Sequence, residues 1–138
     1  MKGRFLTPLR VQHIDGRFWC LTDKQDYRIS DKNGGGISSA PAGFITDFAS
    51  IPWIARPLIG SPSGPYAPAA VNHDLNYAEN AGELDEDYEK RSRRQCDQIF
   101  LEGMQVLGVG WWKRSAMYSA VRVGGWKGWG KNRKGYKP

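Results

Sequence analysis

Ala69-Ala70-Val71-Asn72-His73-Asp74-Leu75-Asn76-Tyr77 is the stretch on which the reading of this chain turns. It has helix-forming residues, no internal proline or glycine, and Pro68 just ahead of it, where a helix accepts proline. Asn80-Ala81-Gly82 supplies a stop. On a helix His73 and Tyr77, four apart, share a face, and Asp74 lies about 100° round from His73. Some twenty residues later comes Gln95-Cys96-Asp97-Gln98-Ile99-Phe100. Cys96, Ile99, Phe100, Met104 and Leu107 recur at helical spacing, which predicts a second helix over about 86–107. Asp97 sits at the edge of that stripe. A last helix is expected from about Trp111 to Val123, ended by Gly124-Gly125.

The first third of the chain has a different period. Phe5, Leu6, Leu9, Val11 and Ile14 lead into Asp15-Gly16, a tight-turn pair, and Phe18-Trp19-Cys20-Leu21 returns. Residues 26–30 read as a third strand, 31–36 as a glycine-rich loop, and 43–46 as a short strand. A short helix is expected after Ser50-Ile51-Pro52. Strands first and helices after give an α+β fold: N-terminal antiparallel strands over about 3–46, then three or four helices, with the His-Asp helix packed on the Asp-x-x-Phe helix. Residues 1–124 are expected to form one domain, and 125–138 a basic tail rich in Trp and Gly.

The chain has 138 residues, 40% hydrophobic, 12% aromatic and 25% charged, which excludes disorder throughout. No apolar run approaches the roughly 20 residues of a spanning helix, and no ordinary export signal is read at the N-terminus. Cys20 and Cys96 are not a CxxC pair and read as reduced thiols. The charge is uneven. Residues 1–112 hold 12 cations and 14 acids, net −2, whereas 113–138 hold 8 cations and no acid, net +8. That asymmetry speaks of partners rather than of fold.

Chemistry is expected where the two helices meet. Packed antiparallel, they bring the Asp97 carboxylate to His73, fixing the tautomer of the imidazole so that its other nitrogen can take a proton from water. Tyr77 would hydrogen-bond Asp97, and Asp74 would be free to bind a cation. The competing reading is a core histidine beside a surface aspartate, with Asp97 exposed and paired to Arg93 or Arg94. Asp47 reads more readily as a helix cap than as an additional site residue. Trp111 and Trp112 are read as partly core. In the tail, Trp126 and Trp129 alternate with Lys127, Lys131, Arg133, Lys134 and Lys137. Such a segment suits an anionic lipid surface, nucleic acid, or another protein.

Two resemblances bear on these residues. Pro41-Ala42-Gly43-Phe44-Ile45-Thr46-Asp47-Phe48-Ala49-Ser50-Ile51-Pro52, followed by Ala69-Ala70-Val71-Asn72-His73-Asp74-Leu75-Asn76-Tyr77 and the Asp97 helix, resembles an uncharacterised family common in tailed bacteriophages. The match covers about residues 37–108. The same helices are distantly similar to phospholipase A2, especially the disulfide-free domain of parvovirus capsids. That likeness implies His73 as the base, Asp74 as a calcium ligand, Asp97 as the group that orients His73, and Tyr77 as its support. The Tyr-x-Gly-x-Gly calcium loop of those enzymes is replaced here by Ile59-Gly60-Ser61-Pro62-Ser63-Gly64-Pro65.

The expectations are therefore a phage-encoded, calcium-assisted ester hydrolase acting on host envelope lipid; a non-enzymatic virion (tail or assembly) component in which the same residues form a polar network; and, third, a nucleic-acid-binding accessory protein. The expected location is the host cytoplasm, with incorporation into the virion.

Overall fold

The computed structural model describes residues 1–16, 18–46, 66–78 and 91–124. Within them, six strands precede three helices. The strands are β1 (Arg4–Phe5), β2 (Val11–Asp15), β3 (Phe18–Leu21), β4 (Gln25–Arg28), β5 (Ile37–Ala40) and β6 (Ile45–Thr46). The helices are α1 (Ala67–Ala78), α2 (Arg93–Val106) and α3 (Trp111–Gly124). This is the α+β order expected. The helix expected after Ser50, Asp47 and the whole basic tail lie outside the described residues.

The strands form two antiparallel three-stranded sheets, in the orders β1-β4-β5 and β2-β3-β6. The expected hairpin is present: Gly16 takes the left-handed φ of 52° that the turn requires. The β2–β3 register shifts between His13 and Asp15, a bulge at the turn. Exposed His13 donates from Nε2 to the Gly16 carbonyl at 2.7 Å, which accounts for this histidine structurally.

β5 is absent from the sequence reading. Ile37-Ser38-Ser39-Ala40 is too polar to announce a strand, yet Ser38 and Ala40 are buried while Ile37 and Ser39 are exposed. It pairs with β4, with Tyr27 opposite Ser38 and Gln25 opposite Ala40. The loop read over 31–36 contains a 3-10 turn at Asp31–Asn33.

α2 begins at Arg93, not at 86. Residues 91 and 92 are not helical, and Ser92 accepts a hydrogen bond from the Gln95 amide at 3.1 Å, which caps the helix there. α1 is the central element: every residue from Ala69 to Tyr77 is buried. Val71 and Leu75 pack on Leu21 and Ala40 of the two sheets. Ala69, Ala70 and Tyr66 join Phe100, Met104, Met117 and Val121 of the other helices. Ile99 of α2 lies on Tyr27 and Ile29. Below it, Glu102 accepts hydrogen bonds from the Tyr27 and Ser30 hydroxyls and from Asn33 Nδ2, which ties α2 to the first sheet.

α1 and α2 cross at Gly103. A Cβ there would stand 3.1 Å from the Ala69 Cβ and 3.5 Å from Phe5. The absence of a side chain allows the approach that brings the next turns into contact. Gly103→Val is expected to cost about 1–3 kcal/mol by overpacking, read as a lower urea midpoint.

Trp111 and Trp112 are not core residues; they are 72% and 59% exposed. The buried side of α3 is set by Met117 and Val121. At about 100° per residue the two tryptophans fall roughly 120° and 140° to either side of Met117, off that stripe. Both cysteines are thiols, Cys96 buried and Cys20 half-buried.

Candidate functional site

A central helix buried along most of its length must find partners for each polar side chain it carries. α1 carries four in six positions beside Tyr77. Asn72 Nδ2 donates to Ser38 Oγ at 2.8 Å, and Asn76 Nδ2 donates to Asn72 Oδ1 at 3.0 Å. Asp74 Oδ2 accepts from Thr46 Oγ1 at 2.6 Å. His73 turns the other way, toward α2.

The antiparallel crossing sets what His73 meets. One turn along α1 from Ala69 is His73; one turn back along α2 from Gly103 is Phe100, and one more turn back is Asp97. The His73 ring stacks on Phe100 at 4.6 Å between centroids and lies against Tyr77 at 4.2 Å. Its Nε2 is 2.7 Å from Asp97 Oδ1. The Tyr77 hydroxyl donates to the same oxygen at 2.5 Å. Held between two rings and one carboxylate, the imidazole has a single orientation. With Nε2–H donated to Asp97, the neutral ring keeps its lone pair on Nδ1. Nδ1 is buried and has no hydrogen-bond partner among the described residues.

Asp97 is fully buried, not exposed. Its second oxygen accepts from Arg122 Nη1 at 2.7 Å, with Arg93 Nη1 at 3.5 Å. Arg93 also donates to the Val121 and Arg122 carbonyls at 2.9 and 3.0 Å, clamping the last turn of α3 onto the start of α2. Burial works to raise the Asp97 carboxyl. Hydrogen bonding and charge from His73, then hydrogen bonds from Tyr77 and Arg122, outweigh it and hold the group below its ordinary value. Tyr77 is pushed far upward by burial first, then by the Asp97 carboxylate it donates to, and remains a donor at any working pH.

The lowered Asp97 value fixes a sign. The unfolded carboxyl titrates near pH 4. The contribution of Asp97 to stability is therefore complete above about pH 4 and is lost as pH falls through the lower folded value. Urea unfolding between pH 6 and pH 2 is expected to show that loss, and Asp97→Asn to flatten it.

Of the residues singled out in the sequence, His73, Tyr77 and Asp97 come together. Asp74 does not stand free for a cation: it is buried and hydrogen-bonded to Thr46. Arg122 and Thr46 were missed. Neither carries a local signal, although an arginine directly after a buried valine in a final helical turn is a cue of sorts. Calcium takes 6–8 oxygens. The described residues place one carboxylate, that of Asp74, and the Thr46 hydroxyl together, and among them no group of three or more His, Cys, Asp or Glu could hold a metal. The loop 59–65, expected to supply the other ligands, and Asp47 lie outside the described residues.

The fold and site define a small α+β protein with a buried His-Asp-Tyr cluster on two antiparallel helices. The chain belongs to the family described as Protein of unknown function (DUF1353), which matches residues 19–121. It is 35% identical over 101 residues to Uncharacterized protein y4jT of Sinorhizobium fredii (strain NBRC 101917 / NGR234). That alignment covers 72% of this chain and 27% of the relative, so the chain spans about a quarter of the relative's length. No solved structure matches it significantly.

Proposed function

We propose that the protein is a hydrolase in which His73 is the general base. Nδ1 takes a proton from a water molecule as that water attacks an ester carbonyl; the tetrahedral adduct then collapses, the acyl C–O bond breaks, and the proton passes from Nδ1 to the leaving alcohol oxygen, giving a carboxylic acid and an alcohol. Asp97 holds the ring through Nε2 and balances the positive charge that the proton brings. Tyr77 and Arg122 hold Asp97. The observation that carries this reading is the buried Nδ1 with no partner among the described residues. An unmade hydrogen bond at a buried polar atom costs about 1–3 kcal/mol. A core built for stability alone would fill the position with an apolar ring, so the cost calls for a use. The resemblance to phospholipase A2 makes a phospholipid ester of a host envelope the substrate to try, in a protein of tailed-phage origin.

The test is fatty-acid release from phosphatidylglycerol vesicles by the full chain and by His73→Phe, each with calcium and with chelator. Release that His73→Phe abolishes supports the reading. No release under either condition, or release that survives the substitution, refutes it. The two metal conditions decide the calcium part separately.

The complete burial of His73 and Asp97 favours a second reading. In it the cluster is a polar network that fixes how three helices pack, as in a non-enzymatic virion component. That reading expects His73→Phe to be strongly destabilising, and the first expects it to be nearly neutral.

A further inference from the structure

Trp111 and Trp112 form an exposed apolar patch at the turn from α2 to α3. On the α2 side of that turn Val106 is 44% exposed and Leu107 half-buried. The patch is next to a pair of cations. Lys113 and Arg114 follow directly, and among the described residues neither has an acidic partner. Arg114 is held in place by donating from Nη1 to the Val109 carbonyl at 3.0 Å. α3 contains no acid, since Glu102 is the last in the chain. Basic residues in the first turn of a helix oppose its dipole, so helix stability does not explain them.

We infer that the α2–α3 turn is a docking surface for an anionic lipid bilayer, with Trp111 and Trp112 as the anchor and Lys113 and Arg114 against the headgroup phosphates. Tryptophan has an apolar body and an indole N–H, which suits the interfacial layer of a membrane. Lysine and arginine beside it add attraction to anionic lipid. The turn also exposes Val106 at the end of α2, an aliphatic side chain that lipid takes up and bases do not, which favours lipid over nucleic acid, where only the aromatic rings would stack on bases. A protein partner would more often compose such a site with fewer uncompensated cations at its centre.

The experiment is co-sedimentation of the full chain with vesicles of ether-linked phosphatidylglycerol and, separately, ether-linked phosphatidylcholine. These lipids contain no ester to cleave, so the result is independent of the hydrolase reading and fails separately from it. The protein is expected to partition onto the anionic vesicles and to leave them as salt rises. Trp111→Ser/Trp112→Ser is expected to bind about tenfold more weakly for each tryptophan removed. Its melting temperature should stay the same, because both side chains face solvent. Equal binding by the double variant would overturn the inference. So would absence of the parent from anionic vesicles, or binding to duplex DNA but not to lipid.

Discussion

Asp97→Ala is expected to lower the stability of the protein by about 3–5 kcal/mol, the usual loss when one member of a buried charged group is removed. The size of the effect follows from what is left behind. Arg122 Nη1 and Arg93 Nη1 lose the carboxylate oxygen they share, at 2.7 and 3.5 Å. His73 Nε2 and the Tyr77 hydroxyl lose the other, at 2.7 and 2.5 Å. Two of these donors, on His73 and Tyr77, are sealed from water and have nowhere to turn. The clamp of Arg93 on the end of α3 should also loosen, because Asp97 no longer holds its guanidinium. Urea denaturation is the measurement, and a loss below about 1 kcal/mol would mean that the cluster is not the junction described. Asp97→Asn should lose less, since one amide oxygen still accepts.

His73→Phe is expected to have the opposite signature: fold retained and, if the protein is the proposed hydrolase, ester hydrolysis lost. The substitution keeps a ring against Phe100 and Tyr77. It removes a hydrogen bond to a charged acceptor, a loss of about 1.5–3 kcal/mol, and it also removes the unpartnered Nδ1, a gain of about 1–3 kcal/mol. The two nearly cancel, and the net change in stability is expected to stay within about 1 kcal/mol. His73→Ala, by contrast, leaves a cavity between two rings and should cost about 2–5 kcal/mol. Loss of a positioned general base lowers the rate by roughly 10²–10⁴-fold. The phenylalanine variant therefore separates the two readings of the site. A stable, inactive protein is the result expected of a base. A protein that loses several kcal/mol identifies a structural network.

Much of the helical half was legible before any coordinates. His73 and Tyr77 share a face because they are four apart, and Asp97 lies three residues from Phe100 on the stripe that packs against them. Helical periodicity is a local property, so it reads directly from the chain. The Asp15-Gly16 hairpin is local in the same way. The errors were of another kind. The helix stripe puts Asp97 at its edge and gives the direction of a side chain but not the depth of the helix, which buries it. Trp111 and Trp112, expected to be partly core, lie off the stripe that Met117 and Val121 define and are exposed.

By itself the sequence determined the order of strands and helices, the α+β class, the His73-Asp97-Tyr77 set and the concentration of positive charge after Glu102. Only the tertiary structure decided the two-sheet division, the burial of the site and the partners supplied from afar. Thr46 reaches Asp74 across 28 residues, Ser38 reaches Asn72 across 34, and Arg122 reaches Asp97 across 25. The reason is physical. Backbone periodicity fixes which side chains share a face, whereas which face meets which, and whether water is left between them, is decided by packing the entire set of elements at once.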